Sequence, residues 1–142
     1  MSVEENLCLL DKTLEVFNAH DLDSLLGFYA DSVVRYSTAS PEPLKGPAAI
    51  REHFKASFTA FPDYHYEKER AFGQGDWICL EGTFTATHRG PLQGPDGRTI
   101  PATNRTVRGR DCTLVKFEGG KITEVHEYSD QLGFLAQLGV KP

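Results

Sequence analysis

Four side chains that can exchange protons or donate hydrogen bonds alternate near the C-terminal end of the chain. They are Glu124, His126, Tyr128 and Asp130. Residues two apart in a β-strand point to the same face, so this spacing predicts that all four share one face. A carboxyl group in an apolar cavity has a raised pKa and can accept and return a proton. The pattern therefore predicts an acid/base site if the face is concave, or a solvated strand face if it is not.

If the face is concave, Asp130 and His126 are the candidate catalytic residues. A rise of about 3.3 Å per residue places them roughly 13 Å apart, so they would act on different parts of one substrate. His88 ends a long predicted strand, where it could bind a substrate carbonyl or hold the neighbouring loop. The remaining predicted substrate-binding residues are mostly aromatic: Tyr36, Phe54, Phe58, Phe61, Trp77, Arg110 and Tyr128.

The chain is rich in aromatic residues. The 142-residue chain has nine Phe, five Tyr and one Trp, or 11% of its residues. This is more than a core of this size needs, and much of the surplus falls on the third predicted helix and on the strands. Aromatic residues at helical spacing also occur in ordinary cores, so each ring is a candidate cavity wall or a plain core residue.

The elements that must position these residues follow from periodicity and from capping signals. Apolar residues recur at helical spacing over residues 3–17, after a possible N-cap at Ser2. Asp21 can cap a second helix that includes Tyr29, Pro47 can begin a third helix, and Pro62 stops it. A fourth helix is predicted over residues 131–138, ending before Gly139.

Strands are predicted over residues 33–36, 64–72, 77–87, 103–117 and 121–130, with a hairpin turn at 118–120. The segments 37–46 and 90–101 contain proline and glycine and are predicted loops. The second loop is either a lid or a surface insertion. Helices that precede a run of strands predict one α+β domain over residues 1–142 with a mostly antiparallel sheet.

Composition excludes several classes of function. Fifteen basic and twenty acidic residues give a net charge of −5, which disfavours nucleic-acid binding. Apolar runs are too short to cross a membrane, and the N-terminus resembles no signal peptide, so a cytoplasmic protein is expected. Three cysteines without a paired motif predict buried free thiols in a reducing compartment.

The sequence predicts neither a metal nor a cofactor. His20, His53 and His65 show no metal-ligand spacing. There is no glycine-rich phosphate loop after a strand and no nucleophile elbow, which argues against nucleotide cofactors and serine hydrolysis.

Short motifs in a fixed order give the chain a family resemblance. They are Gly-Pro-Ala-Ala-Ile-Arg at 46–51, Phe-Pro-Asp at 61–63, Thr-His-Arg-Gly at 87–90, Gly-Lys-Ile-Thr-Glu at 120–124, Asp130, and Gln-Leu-Gly at 137–139. Together they resemble the SnoaL-like polyketide cyclases of the nuclear-transport-factor-2-like superfamily. Ala86 and Asn104 stand where that family has glycines. The resemblance implies a cone-shaped sheet around an apolar cavity, Asp130 as the catalytic residue, and a homodimer or homotetramer.

Three functions are compatible with this resemblance. The first is a cofactor-independent cyclase or isomerase of hydrophobic polyketide-like carbonyl compounds, with Asp130 as the general acid/base of an aldol-type ring closure. The second is an epoxide hydrolase using an Asp–Arg–Asp set, drawn from Asp111, Asp130 and Arg108 or Arg110. Neither arginine shares a strand face with Asp111, which places this function second. The third is a non-catalytic small-molecule-binding domain.

Overall fold

The computed structural model describes residues 1–94 and 96–140. Four helices surround and close the fold: α1 (Val3–Asn18), α2 (Leu22–Leu26), α3 (Pro47–Ala60) and α4 (Gln131–Leu138). Their ends match the signals in the sequence. Ser2 and Glu5 form a capping box at α1, Asp21 caps α2, and Gly139 ends α4 at a φ of 78°.

The described residues form eight strands in two sheets. They are β1 (Tyr29–Ser37), β2 (Ser40–Lys45), β3 (His65–Gln74), β4 (Trp77–Thr87), β5 (Leu92–Gln93), β6 (Thr99–Ile100), β7 (Thr106–Glu118) and β8 (Lys121–Ser129). The large sheet has the order β2-β1-β8-β7-β4-β3, and β5 pairs with β6. Strands β1 and β8 run parallel, while the other neighbours are antiparallel. The predicted α+β class with a mostly antiparallel, curved sheet is confirmed.

The structure differs from the predicted elements at three places. Residues 40–45 of the expected first loop form β2 instead. This strand lies at the edge of the sheet, where a proline can replace a residue whose N–H would not pair with another strand. The loop at 90–101 carries the β5–β6 hairpin; its Pro95 lies outside the described residues. Tyr29 begins β1 instead of extending α2, because α2 ends at Gly27.

Helices α1 and α3 cover the concave face of the large sheet. Buried residues from both layers form one core, which includes Leu10 of α1, Ile50 and Phe54 of α3, and Ile78 and Val115 of the sheet. We call the helix-covered face of the sheet the inner face and the opposite face the outer face.

A β-bulge in β8 decides which of its residues face inward. Phe117 of β7 pairs with Ile122, but Lys116, the residue before Phe117, pairs with Glu124. Thr123 is therefore the extra residue of β8. The bulge reverses the alternation that would otherwise continue from Ile122. Val125 and Glu127 therefore lie on the inner face, and Glu124 and His126 lie on the outer face.

Candidate active site

A central cavity of about 140 Å³ lies between the two covering helices and the inner face of the sheet. Most of its wall is apolar or aromatic. Its polar groups come from several elements and converge on the same space: Thr13, Tyr29, Arg35, His53, Ser57, Tyr64, Tyr66, Asp111, Thr113 and Glu127. A pocket that combines an apolar and aromatic wall with convergent polar groups is typical of small-molecule sites.

Three charged residues of the cavity come from three adjacent strands. Arg35 lies on β1, Glu127 on β8 and Asp111 on β7. The Arg35 guanidinium donates to Glu127 Oε2 at 2.5 Å. The hydroxyls of Ser37 and Ser129 donate to Glu127 Oε1 at 3.3 and 3.4 Å. Burying these two charges is tolerated because each neutralises the other and Glu127 has additional donors.

Asp111 has a different environment. Tyr66 donates its phenolic O–H to Asp111 Oδ1 at 2.7 Å. Burial raises the pKa of Asp111 to about 6, while the Tyr66 hydrogen bond and the Arg35 charge lower it and the Glu127 charge raises it. A carboxylate with this pKa is ionised at neutral pH and still binds a proton readily, which suits a general base.

Three other titratable groups of the cavity, Tyr64, Tyr66 and His53, are neutral near pH 7. Burial raises the pKa of Tyr66, and the charge of Asp111 adds to this shift. Burial also raises the pKa of Tyr64. Burial lowers the pKa of His53 to about 4, and the Arg35 charge contributes. Both phenols are thus O–H donors, and His53 is a neutral imidazole that can donate from one nitrogen and accept at the other.

Two of the predicted cavity residues lie where they were expected. Phe54 and Phe58 line the cavity, and Phe54 also lies under the Arg35 guanidinium at 5.5 Å. The aromatic surplus on α3 therefore contributes to the cavity wall.

Four other predicted site residues lie on the outer face. His126 Nε2 donates a hydrogen bond to Glu124 Oε2 at 2.6 Å, and its ring stacks on Tyr36 with ring centroids 4.6 Å apart. Trp77 lies 5.9 Å from the His126 ring, and Tyr128 is exposed. These residues share one face as predicted, but the Thr123 bulge turns that face away from the cavity, so their expected position in the cavity is wrong.

Asp130 is not part of the strand. It is exposed, follows the end of β8, and caps α4 by accepting the Gly133 N–H at 2.9 Å. With Arg110 and Phe134 it lines a separate surface groove of about 450 Å³. The expected placement of Asp130 in the central cavity is therefore wrong, because the residue is needed to begin the helix.

His88 and Phe61 are buried but do not line the central cavity. His88 Nδ1 accepts the Thr103 N–H at 3.2 Å. Phe61 packs on His88 and on Phe134, with ring centroids 5.4 and 5.7 Å apart. The structure supports the alternative for His88, in which it holds the loop that follows β4.

The predicted epoxide-opening set is also rearranged. Arg108 and Arg110 are exposed on the outer face, whereas Asp111 faces inward. The arginine and the second acid that share the cavity with Asp111 are Arg35 and Glu127.

Sequence reasoning missed the roles of Arg35 and Glu127, although a signal was present. Each follows a buried valine by two residues, as in Val33–Arg35 and Val125–Glu127. A charged residue on the same strand face as a buried valine points into the core or into a cavity.

In residues 1–94 and 96–140, no group of three or more His, Cys, Asp and Glu side chains is arranged to hold a metal ion. None of the helices described has the length and apolar character that a membrane span requires.

A curved sheet wrapped around helices, with carboxylates in an apolar cavity, defines a cone-shaped fold. The profile of the SnoaL-like polyketide cyclase family matches residues 8–138. The chain belongs to this family.

Two relatives of the chain are both named as aklanonic acid methyl ester cyclases. The chain is 27% identical over 133 residues to the aklanonic acid methyl ester cyclase DauD of Streptomyces sp. (strain C5), covering 92% of this chain and 80% of DauD. It is 28% identical over 133 residues to the aklanonic acid methyl ester cyclase DnrD of Streptomyces peucetius, covering 92% of this chain and 88% of DnrD.

Solved structures share the fold at lower identity. TsrD from Streptomyces laurentii superimposes with a TM-score of 0.82 at 20% identity, covering 98% of each chain. A SnoaL-like polyketide cyclase from Agrobacterium tumefaciens superimposes with a TM-score of 0.74 at 22% identity, covering 92% of this chain and 95% of that one. At this identity, the likeness concerns the fold alone.

Proposed function

We propose that this chain is a cofactor-independent cyclase or isomerase that enolises a hydrophobic, polyketide-like carbonyl compound, with Asp111 as the general base. The observation that carries the proposal is the position of Asp111: a carboxylate with a pKa of about 6 in a largely apolar cavity, hydrogen-bonded to Tyr66 and sharing the cavity with a buried arginine. Membership of the cyclase family and the names of the two cyclase relatives support the reaction class.

The proposed reaction begins with a proton transfer to Asp111. Its carboxylate accepts a proton from the carbon next to a substrate carbonyl, and the C–H electron pair moves onto the carbonyl oxygen as an enolate. The Arg35 charge and the Tyr64 O–H stabilise that oxygen. In a ring closure, the enolate carbon then bonds to a second carbonyl carbon, whose oxygen takes the proton from Asp111. No proton is consumed overall.

Glu127 and Arg35 act as a fixed pair in this mechanism. The hydrogen bond at 2.5 Å and the two serine donors hold the Glu127 carboxylate in place. Glu127 thereby orients the guanidinium. Because both of its oxygens already accept hydrogen bonds, Glu127 is less suited than Asp111 to accept a proton from the substrate. Two carboxylates in one cavity thus have separate roles because their surroundings differ.

Asp130 is the alternative candidate for the general base, because the family resemblance assigns the catalytic role to Asp130. Its carboxylate is exposed and is held by the Gly133 N–H outside the cavity. Three variants distinguish the candidates: Asp111→Asn, Glu127→Gln and Asp130→Asn. Each keeps the shape of the side chain and an oxygen acceptor, so the Tyr66, Arg35 and Gly133 contacts persist.

The experiment measures loss of the α-proton NMR signal of cyclic and linear β-keto esters in D₂O. We expect Asp111→Asn to lower the exchange rate by about 10²-fold or more, the usual contribution of a general base, and Asp130→Asn to leave it near wild type. Exchange that is lost in Asp130→Asn and kept in Asp111→Asn would return the role to Asp130. Absence of exchange in the wild-type protein with a bound β-keto ester would favour the non-catalytic binding domain.

Epoxide hydrolysis is the second candidate, favoured by one observation. Asp111, Glu127 and Arg35 all line the cavity, so two acids and one arginine are available inside it. There, Asp111 would take a proton from a water molecule while the water oxygen bonds to an epoxide carbon. The ring C–O bond breaks, and the released oxygen takes the proton back from Asp111. Formation of a diol from an apolar epoxide, without exchange of β-keto esters, would select this function.

We further propose a homodimer or homotetramer. Tyr36 and Tyr128 are 42% and 52% exposed on adjacent strands of the outer face, and Tyr36 stacks on the His126 ring. Large exposed aromatic rings in one patch are typical of an interface. Light scattering coupled to gel filtration tests this assembly, and a monomer for Tyr36→Ser/Tyr128→Ser beside a wild-type oligomer would locate it.

A further inference from the structure

Two cysteine thiols meet on the outer face of the sheet, apart from the central cavity. Cys79 Sγ and Cys112 Sγ are 3.6 Å apart. Cys79 on β4 lies opposite Leu114, and Cys112 on β7 lies opposite Glu81, so the two cysteines are diagonal neighbours. Both are free and half-buried, whereas Cys8 on α1 is exposed.

The position of the two thiols is poorly suited to a disulfide. A disulfide needs sulfurs about 2.05 Å apart and Cα atoms usually within about 6.8 Å. Diagonal residues of an antiparallel pair have Cα atoms about 7–8 Å apart. Closing the bond would therefore require movement of β4 against β7.

A single soft atom between the sulfurs fits without that movement. The sulfurs are 3.6 Å apart. An atom bonded to both at about 2.3 Å, the length of a zinc–thiolate bond, would have a sulfur–atom–sulfur angle of about 103°. This angle is close to tetrahedral. Soft thiophilic elements are the ones that thiolate ligands select.

We propose that Cys79 and Cys112 form a dithiol site for a trivalent organoarsenical or a similar soft metalloid that takes two thiolates. A metal with four protein ligands is disfavoured, because the described residues offer no group of three or more metal-binding side chains. The reaction needs no oxidant: an organoarsenic(III) oxide and two thiols form two As–S bonds, two S–H bonds break, and the oxygen leaves as water.

The environment of the two thiols favours a reagent that bonds to both of them over a reagent that reacts with one. Burial raises the pKa of the Cys112 thiol, and the neighbouring Cys79 thiol raises it further. A protonated, half-buried thiol is a weak nucleophile toward reagents that take one thiol. An arsenical that engages both thiols gains a second bond from a preformed geometry, which a lone thiol cannot offer.

The test is native mass spectrometry of the full chain with phenylarsine oxide in the presence of excess 2-mercaptoethanol. This monothiol removes arsenic from single cysteines. We expect a 1:1 phenylarsenic adduct in wild type and in Cys8→Ser, loss of the adduct in Cys79→Ser and in Cys112→Ser, and reversal by 1,2-ethanedithiol. Bound arsenical should also raise the Tm, since it binds the folded state.

Two outcomes would overturn the proposal. One is an adduct that persists in either Cys79→Ser or Cys112→Ser. The other is a wild-type chain that carries no arsenic under these conditions. Circular dichroism of the variants, with Cys79→Ala and Cys112→Ala as replacements where a serine variant fails to fold, keeps loss of the site distinct from loss of the fold.

Discussion

The guanidinium of Arg35 and the carboxylate of Glu127 form an ion pair at 2.5 Å across the parallel strands β1 and β8. Their side chains are only 7% and 21% exposed. Because both charges are largely withdrawn from water, each depends on the other, and the pair fixes the polar side of the cavity.

Removing one member of this pair should destabilise the fold. Glu127→Leu leaves Arg35 buried without its partner, so we expect the free energy of unfolding to fall by about 3 kcal/mol. Urea denaturation at pH 7 measures this change. The matched control is Arg35→Met/Glu127→Leu, which removes both charges and should recover most of the loss; an equally unstable double variant would contradict the charge-pairing explanation.

Asp111 and His53 should give opposite pH dependences of stability in the same window. The folded-state pKa of Asp111 is raised from 3.8 to about 6, so its contribution to stability is fully present below pH 3.8 and is lost as the pH rises to about 6. The pKa of His53 is lowered from 6.5 to about 4, so its contribution is present above pH 6.5 and is lost as the pH falls to about 4.

The two contributions oppose each other in wild type, and single variants should separate them. Relative to wild type, Asp111→Asn should gain stability as the pH rises from 4 to 6.5, and His53→Gln should lose stability over that range. Urea midpoints at half-unit pH intervals provide the measurement. Parallel curves for wild type and both variants would show that neither group titrates with a shifted pKa.

The hydrogen bond from Tyr66 should tune the proposed base. It lowers the pKa of Asp111 against the larger effect of burial. In Tyr66→Phe, the pKa of Asp111 should therefore rise, and the midpoint of the pH–rate profile for α-proton exchange should move to higher pH. Tyr29→Phe removes a phenol that lines the same cavity but is not bonded to Asp111, and its midpoint should stay in place.

Asn6 offers a route to a more stable protein. Its side chain is 1% exposed, and neither amide atom has a hydrogen-bond partner among the described residues. Asn6→Leu should raise the free energy of unfolding by about 1 kcal/mol, because a buried polar group without a partner is costly. Asn18→Leu is the contrasting variant, since Asn18 bonds both the N–H and the C=O of Tyr66; it should be destabilised, as thermal melts can show.

Local signals in the sequence were sufficient for most elements. Ser2, Asp21 and Pro47 each begin a helix, and Gly139 ends one, because capping depends on a few neighbouring residues. Strand β2 was missed since its two prolines are typical of a loop, and its place at the sheet edge depends on pairing with β1.

The site was harder to predict than the fold because one bulge changes which side chains face inward. The spacing of Glu124, His126 and Tyr128 correctly indicated a shared face, but which face it is depends on Thr123, whose extra position exists only in the pairing with β7. Asp130 was misplaced for a similar reason. Its carboxylate is equally suited to continue a strand face or to cap a helix, and the Gly133 N–H decides between them.

The position of β8 between β1 and β7 has a consequence for how the chain folds. Arg35 and Glu127 are 92 residues apart in sequence, so their pairing is among the long-range contacts that slow folding. During synthesis from the N-terminus, β1 with β2 and the antiparallel unit β7-β4-β3 can form before β8 is available. The last strand then joins two separate pieces of sheet, and the cavity gains its second carboxylate at that same step.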